Sequence, residues 1–210
     1  HVSSAASDVY KRQTDASVYQ IKPLGVVLPK DTNDVLSLME YSQKNSVPLL
    51  ARGGGSSQCG QTVGESVVLD YSKHQNKILE LNVEEKYVWV QPGVVLDHLN
   101  AYLKPHGLWF PVDVSTSSRA TIGGMSANNS CGSRSLYYGN MVHNVLAIEA
   151  ILDDGSIFNF DQINKNYLAT KNNQDRLYKI IDKFIDVRQK VGSEINANWP
   201  TTQRLSLIHI

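Results

Sequence analysis

The chain has 210 residues, 41% of them hydrophobic, and twenty Lys and Arg balance twenty Asp and Glu. That length and apolar content allow one large or two small domains with a packed core and argue against a disordered chain. Zero formal net charge leaves no electrostatic footprint for duplex nucleic acid or an anionic membrane surface, and no apolar run reaches the ~18 residues of a membrane span.

No basic stretch followed by an apolar one marks a signal peptide. Two cysteines, Cys59 and Cys131, are too few for a disulfide framework and lack zinc spacing, so reduced thiols in a cytoplasmic protein are expected. Residues 2–13 (VSSAASDVYKRQ) and 205–210 (LSLIHI) resemble translated adapter DNA. Non-native tails are therefore expected at 1–13 and 205–210, around a segment 14–204 cut at both ends.

Residues 26–29 (VVLP) read as a short strand, and Asp31 or Thr32 caps a helix with Val35, Leu38, Met39 and Ser42 at helical spacing. Residues 47–51 return as a strand, completing a βαβ-type unit that ends in Arg52-Gly53-Gly54-Gly55-Ser56-Ser57. Residues 66–70 follow as another strand-like run. Residues 77–81 and 87–91 are rich in β-formers around a turn at 82–86, which predicts an antiparallel pair. A helix over 95–103 puts Leu96, Leu99 and Leu103 on one stripe, and Pro105-His106-Gly107 closes it.

Residues 110–138 show little regular pattern, and loops of that length usually carry function. They hold a second glycine site at 120–129 (ATIGGMSANN), whose N–H groups are expected to open a short helix toward the same anion as the first. A strand over 145–152, a hairpin turn at 153–156 and a strand over 157–160 follow. Residues 172–195 read as a helix buried through Leu177, Ile180, Ile181, Phe184, Ile185 and Val191, and a domain boundary is placed near Phe160.

Glycines without Cβ can turn several N–H groups toward one point, which binds an anion, and the arginine and serines add charge and donors. Alone, three glycines more often mark an ordinary tight turn. A P-loop needs Gly-Lys-Ser/Thr, which is absent; the nicotinamide-type G-x-G-x-x-G lacks its third glycine here and the loop runs toward a strand.

Taken together, RGGGSSQCG (52–60), VVLD (67–70), VWVQPG (88–93), PVDVSTSSRATIGGMSANNSCG (111–132), YYGN (137–140) and VLAIEAILDDG (145–155) resemble the FAD-binding PCMH-type domain of the vanillyl-alcohol-oxidase kind. Within it the chain is most similar to the FAD-linked oxidase half of D-lactate, glycolate and D-2-hydroxyglutarate dehydrogenases, in particular long bacterial forms with an iron–sulfur domain. The resemblance covers about residues 15–160. It implies an α+β PCMH-type fold of two α/β subdomains with the start of a cap domain: subdomain 1 at 14–76, subdomain 2 at 77–160 and the truncated cap at 161–204.

By the same resemblance, Gly53, Gly54, Gly55, Ser56 and Ser57 hold the FAD pyrophosphate, with Arg52 starting the loop. Pro92 and Gly93 match a turn near the adenosine end. Pro111, Ser115, Ser118, Thr121, Ile122, Gly123, Gly124 and Ala127 match a second flavin-contacting loop. Ser130, Gly132, Tyr138, Gly139 and Val145 match positions lining the flavin or adenine. Where relatives with covalent flavin place a histidine after the glycines, this chain has Ser56, so noncovalent FAD is expected. Cys59 is read as a small buried residue rather than a tether. Asp113 is given a structural role, His143, which follows Tyr138 and Gly139, a place beside the binding surface rather than a cofactor contact, and Trp89, Trp109 and Trp199 places in the core.

The implied reaction is oxidation of a D-2-hydroxy acid to the 2-oxo acid, hydride passing to flavin N5 and the hydroxyl proton to a base. A quinone, cytochrome or electron-transfer protein is the implied acceptor. The place is the cytoplasm or the inner face of a membrane, without a span and without nucleic acid. In relatives the carboxylate clamp and the histidine metal site lie mainly in the cap, so the catalytic base is unassigned, no metal ligand is assigned within these residues, and any divalent metal or iron–sulfur cluster is expected only beyond them. Two other readings stand beside this one: another PCMH-fold flavoenzyme, such as a sugar or alcohol oxidase or an enolpyruvyl-sugar reductase, and a noncatalytic nucleotide-binding module.

Overall fold

The computed structural model describes residues 2–3, 6–161 and 176–199. Two compact units are present, residues 1–145 with 153–155 and residues 146–152 with 156–210, so the strands on either side of residues 153–155 go with the segment that follows them.

In the first unit β4 (Val67–Asp70) is buried along its whole length, as a central parallel strand must be. It lies between β2 (Gly25–Val27) and β3 (Leu49–Arg52) and runs parallel to both, placing Val68 opposite Val26 on one side and Leu50 on the other. β1 (Val2–Ser3) adds an antiparallel edge on β2. The βαβ reading of residues 26–51 is thereby refined: β2 and β3 share a direction but no edge, because the more apolar β4 takes the middle. Between β3 and β4, residues 53–66 cross without any helix or strand.

α2 (Thr32–Asn45) starts where the Asp31 carboxylate accepts the Asp34 N–H at 3.1 Å, and it buries Val35 and Leu38. Ahead of the sheet, α1 (Ala6–Arg12) leans on β2. None of residues 7–13 is buried; Arg12 reaches Asp70 through Nε at 2.9 Å and Nη2 at 2.7 Å.

β5 (Ile78–Asn82) and β6 (Tyr87–Val90) form the expected antiparallel pair, with an irregularity between Ile78 and Glu80. α3 (Leu96–Leu103) packs Leu99 and Leu103 with Val94 against Ile78, Leu81, Val88 and Val90. Each such fully buried leucine stabilises by about 1.5–3 kcal/mol. A short 3₁₀ turn, Lys104–His106, ends at Gly107 with φ 70°.

Residues 110–138 hold more structure than their composition suggested, because three of them, Val112, Ala120 and Met125, join a core cluster. Val112, Ala120, Met125 and Met141 are buried with Leu96, and Val145 and Ile122 pack on that cluster. Around it fold α4 (Ile122–Ala127), α5 (Ser135–Tyr138) and α6 (Met141–Asn144).

The second unit contains the hairpin of β7 (Ile148–Ile151) and β8 (Ile157–Phe160), closed by the Leu152 N–H on the Ser156 carbonyl at 2.8 Å. It also contains α7 (Arg176–Asn198). The expected buried stripe of α7 needs correction: Leu177 and Ile181 are buried, whereas Phe184 is 73% exposed and Val191 is also exposed. A helical stripe reports only which face is apolar; burial requires a partner surface. Residues 172–175 of that expected helix lie outside the described residues, as do 162–171 and 200–204 of the expected cap segment.

Three further expectations are corrected. Cys59 is exposed, since it sits in the irregular crossing after β3, while Cys131 is buried. Trp109 is 43% exposed and lies under the Arg134 guanidinium, with Cζ 5.1 Å from the ring, rather than in the core. Trp199, at the end of α7, is exposed as well. Among the described residues no helix is long and apolar enough to cross a membrane, and no group of three or more His, Cys, Asp or Glu side chains could hold a metal ion.

Candidate cofactor site

The three parallel strands β2, β4 and β3 end side by side, and ligands of α/β sheets bind at such carboxyl ends. A cleft of about 480 Å³ opens there, within the usual range for small-molecule sites. Leu28 follows β2, Arg52, Gly53 and Gly54 leave β3, and Asp70, Ser72 and Lys73 end β4. The facing wall is Ser118, Arg119 and Thr121 with Val95, and α1 adds Asp8, Lys11 and Arg12. Arg12 is bound to Asp70 and Asp8, and Arg52 to the carbonyls of Thr62 and Thr14, which leaves Lys11, Lys73 and Arg119 as the cations of a lining that suits an anionic ligand.

The two loops meet in van der Waals contact. A Cβ on Gly53 would overlap the Thr121 hydroxyl, and one on Gly54 would overlap the Arg119 carbonyl. Glycine is required at both because nothing larger fits between the loops. Among the described residues, no hydrogen bond within the chain takes the N–H of Gly53, Gly54, Gly55, Ser56 or Ser57. Unengaged donors beside a cationic cleft fit a phosphate group. The Ser57 hydroxyl turns to Gln61 Oε1 and accepts the Cys59 N–H at 3.3 Å; Ser56 is half-buried next to it.

The second loop contributes differently from expectation. Its N–H groups at the start of α4 are already used: Ile122 donates to the Val94 carbonyl at 2.8 Å, Gly123 to the Pro92 carbonyl at 2.8 Å, and Gly124 to the Thr121 hydroxyl at 3.4 Å. The cause is the strand-like bridge of Val95 with Thr121, which seats the helix start on the turn after β6. That turn is tight: the Gly93 N–H donates to the Gln75 carbonyl at 2.7 Å, and a Cβ on Gly123 would come to 2.5 Å from the Pro92 Cβ. So Ser118, Arg119 and Thr121 face the cleft while Ile122, Gly123 and Gly124 brace them.

Gly55, Ser56 and Ser57 of the first loop, Pro92 and Gly93, and Pro111, Ser115, Ala127, Ser130, Gly132, Tyr138, Gly139 and Val145 lie outside the walls of this cleft. Gly132 presses on Asp113, whose carboxylate accepts the Ser133 hydroxyl at 2.5 Å and the Arg134 N–H at 2.9 Å. Burial pushes the Asp113 pKa up, but the Ser133 and Arg134 hydrogen bonds outweigh it and hold the carboxyl below its usual range. Tyr138 meets Trp109 edge-on at 5.1 Å, and Gly139, with φ 79°, lies against the His143 imidazole. His143 Nδ1 accepts the Asn140 N–H at 3.1 Å while Asn140 caps α6 in return, so this imidazole shapes the turn at Gly139.

Sequence reasoning missed Leu28, Ser72, Lys73, Val95 and Arg119 as cleft walls. For Leu28, Ser72 and Lys73 the signal lay in topology, since residues just after a parallel strand line the switch region whatever their type, whereas Val95 and Arg119 come from the facing loops and had no such signal.

A family model described as FAD binding domain matches residues 23–161. The chain is 40% identical over 166 residues to the D-2-hydroxyglutarate dehydrogenase of Haemophilus influenzae, covering 78% of this chain and 16% of that protein. It is 40% identical over 157 residues to the mitochondrial D-lactate dehydrogenase [cytochrome] of Kluyveromyces lactis, covering 73% and 27%. The chain thus spans less than a third of the length of these relatives. The solved structure of 6-hydroxy-D-nicotine oxidase from Arthrobacter nicotinovorans superposes with a TM-score of 0.68 at 17% identity, over 77% of this chain and 35% of that one. That likeness establishes the fold as the PCMH-type α+β arrangement.

Proposed function

The chain belongs to the FAD binding domain family, and on that premise we propose that it is the flavin-holding part of an oxidoreductase acting on D-2-hydroxy acids. The row of unengaged N–H groups from Gly53 to Ser57, whose first two residues line a cleft together with Ser118, Arg119 and Thr121, carries this reading. Gly53, Gly54, Gly55, Ser56 and Ser57 hold the pyrophosphate, and Lys73 and Arg119 add charge. Ser130, Gly132, Tyr138, Gly139 and Val145 form the more distant part of the binding surface, for the flavin or the adenine. A serine at position 56 offers no histidine for a covalent link, so the cofactor is held by noncovalent contacts alone. When bound, the flavin accepts a hydride and supplies the redox chemistry.

The substrate class rests on the names of the relatives, which are dehydrogenases of D-2-hydroxyglutarate and D-lactate. The carboxylate clamp and the base belong to parts of the longer proteins that this chain does not span, so the chain takes up FAD and turns over no hydroxy acid by itself. Purification with added FAD followed by gel filtration tests the reading. Protein eluting with a flavin band near ~450 nm is the expected result; a colourless protein indifferent to FAD would overturn it. Oxidation of D-lactate or D-2-hydroxyglutarate by the chain alone would overturn the division of labour.

A further inference from the structure

The geometry points to Arg52 as the clasp that fixes the shape of the glycine loop, acting through that loop rather than on the anion it receives. The inference deepens the reading of residues 53–57 as a pyrophosphate cradle and rests on it. Arg52 is the last residue of β3, paired with Asp70 of β4, and only 9% of it is exposed. Its guanidinium does not turn outward: Nη1 donates to the Thr62 carbonyl at 3.0 Å and Nη2 to the Thr14 carbonyl at 2.8 Å. One planar fork therefore closes the loop from Arg52 to Thr62 and ties its end to the segment before β2.

That tie is reinforced from the other side. The Thr62 hydroxyl donates to Asp15 at 3.0 Å, and the same carboxylate accepts the Ser17 N–H at 2.8 Å. Gly55, with φ 63°, lies directly on the guanidinium: a Cβ there would come to 2.8 Å from Cζ and 3.1 Å from Nε. The backbone of the cradle is thus shaped on the arginine plane, whose outer nitrogens are committed to carbonyls. Lysine keeps the charge but offers a point instead of a rigid fork, so it cannot hold two carbonyls and a glycine face together. A charge acting on the anion and a clasp acting on the loop therefore predict opposite behaviour of the lysine variant.

Arg52→Lys, Arg52→Ala and Gly55→Ala in the full chain test this, by FAD titration and by limited proteinase K cleavage within residues 53–62 without FAD. Arg52→Lys and Arg52→Ala are expected to weaken FAD binding alike, by about 10- to 100-fold, and to speed cleavage of the free loop. Gly55→Ala weakens binding too, partly because alanine is strained at φ 63°, and by less when Arg52 is already alanine, because the atoms it meets are gone; an equal loss in both backgrounds would overturn the contact. Retention of wild-type affinity by Arg52→Lys while Arg52→Ala loses it would overturn the clasp, as would unchanged cleavage in both variants. Should Arg52→Ala fail to fold, Arg52→Lys decides alone, and wild-type affinity and cleavage in it would overturn the inference. If the wild-type chain takes up no FAD, the cradle reading fails while the cleavage experiment still decides the clasp.

Discussion

Gly53 rests on Thr121, with no room for a Cβ between the glycine and the threonine hydroxyl. The floor of the cleft and its facing wall are therefore one surface made from two loops distant in the sequence. Gly53→Ala is expected to force the loops apart and cost about 1–3 kcal/mol, as overpacking does. Thr121→Ala should recover part of that loss, because the next threonine atom would lie 3.3 Å from the new methyl. Thermal unfolding of the two single variants and the double variant measures the coupling, and additive losses would contradict the contact.

Gly123 gives a contrasting case. The atoms a Cβ would meet there include the Pro92 Cα and carbonyl oxygen at 2.9 Å, which cannot rotate away as a side chain can. Gly123→Ala should displace α4 from the turn and cost about 2 kcal/mol or more. No truncation of Pro92 should restore it, as thermal melts of Gly123→Ala with and without Pro92→Ala would show.

The Asp113 carboxylate sets an acid limit on the segment carrying Tyr138. Its folded pKa lies below the ordinary value of about 3.9. The unfolded chain thus binds the proton at higher pH than the folded one, so the contribution of Asp113 is complete above that value and is lost as pH falls through the folded pKa. Asp113→Asn should cost about 1 kcal/mol at neutral pH, since the group is only partly buried. The gap between variant and wild-type melting temperatures should narrow steadily below about pH 4, and a constant gap from pH 7 to pH 3 would refute the assignment.

Noncovalent attachment has a direct readout. Acid precipitation of the flavin-loaded protein should leave the yellow colour in the supernatant, because Ser56 stands where a histidyl link would form. Colour that stays with the pellet through washing would refute it, and Cys59, exposed on the same loop, would be the residue to map.

Local chemistry was legible in the sequence. Asp31 caps α2, residues 78–90 form an antiparallel pair, Leu96, Leu99 and Leu103 are all buried, and residues 152–156 turn a hairpin. Each depends on neighbours a few residues away. What was not legible depends on distant partners. The N–H groups of Ile122 and Gly123 looked available for an anion, but the carbonyls of Val94 and Pro92 take them, and only tertiary folding brings those together. Trp109 reads as a core residue from the sequence, yet Arg134 and Tyr138 meet it at the surface. The glycines suggest close approach of backbone to an anion, and what Gly53 and Gly54 meet in the structure is the loop of Arg119 and Thr121.

The crossing from β3 to β4 joins neighbouring parallel strands, a task normally given to a helical connection of a dozen or more residues. Here residues 53–66 perform it without a helix, and they begin with the glycine row proposed to bind the anion. On that proposal the length of this stretch is set twice, once by the ligand and once by the span that two parallel partners demand. Shortening it should unpair β3 even if the glycines are kept, whereas extra residues near its exposed middle should cost little. Variation in loop length among such proteins should accordingly run toward insertion, with deletion blocked by the sheet itself.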